Sequence, residues 1–225
     1  MVTGSMASPV PSSDGHPSLE AAILEAASDL LARGGVQGLS MRQVADRVGV
    51  SATAIYHYFK GKDDLVDRVV RQGFERFGEY LERAIAAHPR GSLARVRALG
   101  DAYMRFALEN QAYFRVIFSM QSQGERTVED HPEGGGYQLL RECVVDAIAS
   151  GEMCAADPDL LSLYLWSVVH GLVTLNLSCT EPLCAGETMP QSPVDLYQAF
   201  APFVVDGIRF RPPAGGTRHD GRREE

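Results

Sequence analysis

Thr53, Tyr56 and His57 stand close together in the chain and are followed by Tyr58, Lys60 and Lys62. Hydroxyl and imidazole groups hydrogen-bond phosphate oxygens and base edges, and a threonine methyl can touch a thymine methyl. Lysines at the end of such a set can neutralise phosphates. The chemistry these residues suit is recognition of a polyanion, with no bond made or broken. The plain alternative makes Tyr56 and Tyr58 packing residues of a helical hairpin and the lysines its solvated edge. The aromatic-basic closure favours recognition.

Two short helices must present these side chains. Ser40 precedes Met41, Val44, Ala45 and Val48, which share one helix face at i, i+3, i+4, i+7. Ser40 with Gln43 fits a capping box. Gly49 falls where this helix must stop, since a residue without Cβ tolerates a left-handed turn. Ser51 suits the N-cap of a second helix. Its inward face is expected to hold Ala52, Ile55 and Phe59, leaving Thr53, Tyr56 and His57 outward. Asp63 or Asp64 then caps a further helix starting near Leu65. Two helices around a tight turn form a helix-turn-helix, which lays its second helix in the major groove of DNA.

The order Leu39-Ser40-Met41-Arg42-Gln43-Val44-Ala45, then Val48-Gly49-Val50-Ser51, then Ile55-Tyr56-His57-Tyr58-Phe59-Lys60-Gly61-Lys62-Asp63-Asp64-Leu65 resembles the N-terminal domain of tetracycline-repressor (TetR)-type transcriptional regulators. That resemblance implies that Thr53, Tyr56 and His57 face the groove. It also implies that Ser40, Arg42, Ser51, Tyr58 and Lys62 hold the DNA backbone, to which the charge of Lys60 adds. Ser40 stands where the family often has Thr, and Ile55 where it often has Leu.

The remaining periodicity is helical throughout, and the expected fold is all-α with about nine helices. Residues 1–17 read as a disordered arm that opens with a vector-derived leader, and 18–64 as the DNA-binding head. Residues 65–210 read as a ligand-binding and dimerisation bundle, and 211–225 as a disordered tail. Ser18 opens the first helix, with Ile23, Ala27, Leu30 and Leu31 on one face. A linking helix runs from Leu65 to about Ala87, and further helices from Ser92 to Glu109, Asn110 to Met120 and Tyr137 to Ser150. Gln121–Gly136 and Ser178–Pro193 read as loops. Asp159–Leu177 is apolar on nearly every side, the mark of a helix buried all round and here of a subunit interface. The last helix, begun by Ser192 or Asp195 and running to about Ile208, carries Leu196, Phe200, Phe203 and Val204.

Trp166-Ser167-Val168-Val169-His170-Gly171 resembles the Trp…His-Gly signature of the C-terminal class called WHG. Family likeness implies a homodimer through the last two helices. The physics agrees, because one short helix touches too few bases for useful specificity. Tyr103, Met104, Phe106, Tyr113, Phe114 and Phe118 cluster on consecutive helices, and with Trp166 and His170 they outline a pocket for a hydrophobic effector. For each of these residues core packing is the competing reading. Arg105, Arg115, Asp146 or His170 would supply a polar contact.

The chain of 225 residues carries a net charge of −8, unusual for a DNA binder. Between His16 and Gln72, however, seven Lys/Arg face seven Asp/Glu, so the acidic excess lies outside the head. Binding should then rest on specific geometry, with modest nonspecific affinity. No long apolar run free of polar breaks suggests a membrane span, and the polar, proline-bearing start is no secretory signal. Cys143, Cys154, Cys179 and Cys184 lack zinc spacing and read as cytosolic thiols. Acidic neighbours make a redox switch at Cys179 and Cys184 a weak reading. No catalytic arrangement, metal motif or phosphate loop stands out, so neither an enzyme nor a cofactor is expected. The expectation is a cytoplasmic, ligand-responsive repressor of a palindromic double-stranded operator. The alternative is a small-molecule-binding helical protein with a vestigial head.

Overall fold

The computed structural model describes residues 18–119, 136–178 and 192–208, except the side chains of residues 119, 205 and 206. The arm, the tail, Met120, most of both expected loops, Cys179 and Cys184 lie outside the described residues. Among the described residues there are nine helices and no strand. The chain divides into two compact units, one up to Arg68 and one from Val69, with the division falling inside α4.

The first unit holds α1 (Leu19–Gly34), α2 (Met41–Val48), α3 (Ala52–Tyr56) and the start of α4 (Lys62–Ala86). Serine hydroxyls set three helix starts. Ser18 accepts from the Ala21 amide, Ser40 from Gln43 and Ser51 from Ala54, each at 3.2 Å. Only half of the expected capping box forms: the Gln43 side chain accepts from the Ser40 hydroxyl at 3.0 Å. Gly49 closes α2 in the left-handed region at φ 80°. The core joins Ile23, Ala27 and Leu31 of α1, Val44 and Ala45 of α2, and Ile55 of α3, with Phe59 and Leu65. Leu30 and Val48 are only half-buried.

Two expectations need correction. Helix α3 ends at Tyr56, so Phe59 reaches the core from the turn behind it and not from the helix face. The linking helix starts at Lys62, before Leu65, because the Leu65 amide already donates to the Gly61 carbonyl at 3.0 Å. Asp63 and Asp64 therefore sit in its first turn, where negative charge is favoured. Asp64 reaches back to accept from the Lys60 amide at 2.7 Å and braces the turn.

The second unit holds the rest of α4 with α5 (Leu93–Glu109), α6 (Gln111–Ser119), α7 (Gly136–Ala149), α8 (Pro158–Ser178) and α9 (Pro193–Ile208). Helix α5 is the central one. It packs on α6, α7 and α8, and buries side chains from Leu93 to Ala107. Ser92 caps α5, Asp157 caps α8 and Ser192 caps α9. Helix α8 is not enclosed by its own chain. Leu161, Ser162, Val169 and Val173 are buried, while Leu160, Leu163, Tyr164 and Leu175 lie exposed. Phe203 of α9, expected on an apolar face, is 76% exposed. By length and composition α8 is the one helix among the described residues apolar enough to cross a membrane.

Gly49 isolates the backbone term, since a Cβ there meets nothing within 4 Å. Gly49→Ala should destabilise the protein by about 1 kcal/mol through the left-handed φ alone, and Gly49→Asn by less. Urea unfolding monitored by circular dichroism checks the order.

Candidate DNA-reading face and effector cavity

On the first unit the residues singled out from sequence do emerge at the surface. Thr53 and His57 are exposed, Tyr56 is 55% exposed and Tyr58 45%. An aromatic ring left in water on so short a helix serves no core. Arg42, Ser51 and Lys60 are exposed, Ser40 and Lys62 half-buried. The cap at Ser51 uses an acceptor lone pair, so its hydroxyl hydrogen stays available for a phosphate oxygen.

The charges of this unit sort by position. Arg47 pairs with Asp29, and Arg68 with Glu20. The Arg68 guanidinium also lies 6.0 Å from the centre of the Phe59 ring. Among the described residues Arg42, Lys60 and Lys62 carry no ion pair, so their charge remains available to a polyanion. The neutral net charge of the head thus hides internally paired arginines beside unpaired cations at the exposed edge.

In the second unit a cavity of about 310 Å³ lies among α4, α5, α6, α7, α8 and α9. Its apolar wall includes Phe74, Phe77, Leu81, Leu99, Leu140 and Val169. Of the pocket residues expected from sequence, Tyr103, Phe118 and Trp166 reach this wall. Phe106, Tyr113 and Phe114 do not; they are buried in packing. Phe106 sits against Phe77 at 5.1 Å between ring centres, and Phe114 against Phe118 at 4.8 Å. Tyr113 donates its hydroxyl to Gln72 and lies under the Arg76 guanidinium at 4.5 Å. Met104 is likewise core.

His170 is not on the wall either. Its Nδ1 lies 2.6 Å from the Tyr103 hydroxyl, and its ring packs against Phe118, Phe114 and Trp166. Trp166 and His170, one helical turn apart on α8, thus converge on one tyrosine of α5. Burial pushes the Tyr103 hydroxyl well above its ordinary value, opposed by a hydrogen bond from the Trp166 indole. Burial holds the His170 imidazole below its ordinary 6.5. A neutral imidazole accepts at Nδ1 when its proton sits on Nε2, which makes Tyr103 the donor.

The polar partners proposed from sequence lie elsewhere. Arg115 donates to the Leu177 carbonyl at 2.8 Å, and Asp146 pairs with Arg90 at 2.6 Å. Arg105 is exposed and off the wall. Besides Tyr103 and Trp166, the polar side chains on the described wall are Arg97 and Asp101 of α5, Tyr137 of α7, and Tyr197 and Gln198 of α9. Sequence reading missed all five, since α9 meets α5 only in three dimensions. Among the described residues no cluster of His, Cys, Asp and Glu has the makings of a metal site.

A capped helix-turn-helix with its polar face outward, followed by a helical bundle around an apolar cavity, defines a class of bacterial regulators. Residues 23–69 match the model described as bacterial regulatory proteins, tetR family, and residues 96–186 that of the tetracyclin repressor-like C-terminal domain. The chain belongs to the TetR family. The C-terminal match lends the WHG class no support. The HTH-type transcriptional repressor KstR2 of Rhodococcus jostii is 33% identical over 93 residues, 40% of this chain and 44% of that protein. The chain spans about half the length of the curated relatives it matches. A structure of a protein of unknown function from Rhodococcus sp. RHA1 is 26% identical with a TM-score of 0.69, covering 87% of this chain and 97% of that one. The structure of the ketosteroid transcriptional regulator KstR2 of Mycobacterium tuberculosis shares the fold at TM-score 0.64 and 20% identity, over 86% and 96% of the two chains.

The lowered His170 value sets a pH dependence. The unfolded chain takes up the proton near 6.5, and the folded chain only at lower pH. Stability from the neutral Tyr103–His170 pair is therefore full above 6.5 and lost as pH falls through the folded value. The urea midpoint of the wild type should exceed that of His170→Phe by less at about pH 5 than at about pH 7.5. A difference independent of pH would contradict this.

Proposed function

We propose that the protein is a DNA-binding transcriptional regulator, and that it acts as a cytoplasmic repressor released from a palindromic operator by a small hydrophobic effector. The observation that carries the DNA reading is the exposed Thr53–Tyr56–His57 set on a capped helix, edged by unpaired Arg42, Lys60 and Lys62. Thr53, Tyr56 and His57 read base edges. Ser40, Arg42, Ser51, Tyr58, Lys60 and Lys62 hold the phosphates. The name of the Rhodococcus jostii relative, a repressor, supports that sign of control.

The active unit is a homodimer through α8 and α9. The support is the apolar surface that the single chain leaves in water: Leu160, Leu163, Tyr164 and Leu175 on α8 with Phe203 on α9. Burying such side chains contributes about 1.5–3 kcal/mol each. A two-fold pair also sets two recognition helices about 34–36 Å apart, matching successive major-groove faces. The effector occupies the cavity of the second unit, whose apolar wall with a few polar groups suits a small organic molecule. To move operator occupancy from nearly full to nearly empty, it must favour the released conformer by about 5.5 kcal/mol.

Gel-shift titration and footprinting on the DNA flanking the gene test the reading. Tyr56→Ala should abolish specific protection while leaving the sedimentation of the dimer unchanged. Lys60→Ala should weaken binding to all sequences alike and reduce the slope of log affinity against log salt by about 1. Absence of specific protection in the wild type would favour the binding protein with a vestigial head.

A further inference from the structure

The cavity wall carries three tyrosines, and their hydroxyls are in different situations. Tyr103 is engaged with His170 at 2.6 Å. Tyr137 donates to the Asp159 carbonyl at 3.3 Å. The Tyr197 hydroxyl has no hydrogen-bond partner among the described residues. It lies instead in a notch of α5 that exists because residue 100 is glycine. A Cβ on Gly100 would stand 1.8 Å from that oxygen, a distance no real Cβ shows. Helix α9 thus brings to the cavity wall a hydroxyl that no described protein group engages.

A hydroxyl without a protein partner beside the cavity is open to a bound molecule, and such a hydrogen bond contributes about 0.5–1.5 kcal/mol net. The rest of the wall limits which molecule this is. Phe74, Phe77, Phe118 and Trp166 offer ring faces and edges. Among the described residues, the charged groups on the wall are Arg97 and Asp101, which are of opposite sign and cancel. Burial and the neighbouring Asp101 push the Tyr197 hydroxyl above its ordinary value, so it is a neutral phenol that both donates and accepts.

Resting on the effector reading of the cavity, we infer that Tyr197 is the polar anchor of the site, seated by the Gly100 notch. The ligand it selects is an uncharged, ring-bearing molecule with a hydroxyl or carbonyl oxygen. A purely hydrocarbon ligand leaves the phenol unpaired. An anionic or cationic one finds no net countercharge.

The test compares 2-naphthol with naphthalene by isothermal titration calorimetry of the full chain. Trp166 is the sole tryptophan and lies on the wall, so its fluorescence reports entry into the cavity. Wild type should bind 2-naphthol about fivefold or more tightly than naphthalene, within the range of one net hydrogen bond. Tyr197→Phe should lose that preference while its naphthalene affinity stays unchanged, which also shows that the variant is folded. Gly100→Ala, whose methyl displaces the hydroxyl, should lose the preference as well. Equal binding of the two probes by wild type, or a preference that survives in Tyr197→Phe, overturns the anchor and leaves the effector cavity standing. If neither probe binds or perturbs Trp166, both the anchor and the cavity's role as an aromatic-effector site fall.

Discussion

A five-residue helix cannot hold itself together in water, and the reading face of this protein is built on one. Nucleating a helical turn fixes several residues for a single hydrogen bond, so α3 exists only through what it is packed against. Ile55 at 0% exposure and Phe59 at 1% supply that packing, gripping the segment from within the helix and from the turn beyond it. The Ser51 cap and the Asp64 bond to the Lys60 amide fix the two ends. Everything exposed on α3 takes its direction from these four groups. Thr53, Tyr56 and His57 are free to contact DNA because none of them is needed to keep the helix in place.

The second unit meets the opposite difficulty. Its sequence contains more apolar helix than one chain can cover. Helix α5 is enclosed, whereas α8 packs one side and leaves leucines on the other. A homodimer would resolve this surplus with the same apolar residues that leave α8 close to a membrane-helix composition. Inside the unit, the surplus is arranged around a cavity instead of filling it. Aromatic rings at edge and tilted angles, Phe77 against Tyr103, Phe106 and Phe118, pack along this wall.

Much of the fold was legible in local chemistry. Ser18, Ser40, Ser51 and Ser92 mark helix starts because a side-chain oxygen beside a free amide is a local event. Gly49 marks a stop for an equally local reason. The start of α4 was misplaced because Asp63 and Asp64 suit a first turn as well as a cap. The exposure of Thr53, Tyr56 and His57 was legible because it follows from helical spacing alone. The cavity was only half legible. Aromatic content pointed to Tyr103, Phe118 and Trp166, but no spacing distinguishes a wall from a core, and Phe106, Tyr113 and Phe114 proved to be core. Tyr197 and Gly100 are far apart in sequence, and their meeting depends on how α9 crosses α5.

The central claim is that an electrically balanced head reads DNA by geometry, through two half-sites held by one dimer. The most direct measurement compares the affinity of the protein for its full palindromic operator with that for the same DNA carrying one scrambled half-site, at about 0.15 M salt. The account predicts a loss of at least about a hundredfold, because a lone head with few unpaired cations has little nonspecific attraction to fall back on. Equal affinity for the two DNAs would contradict it.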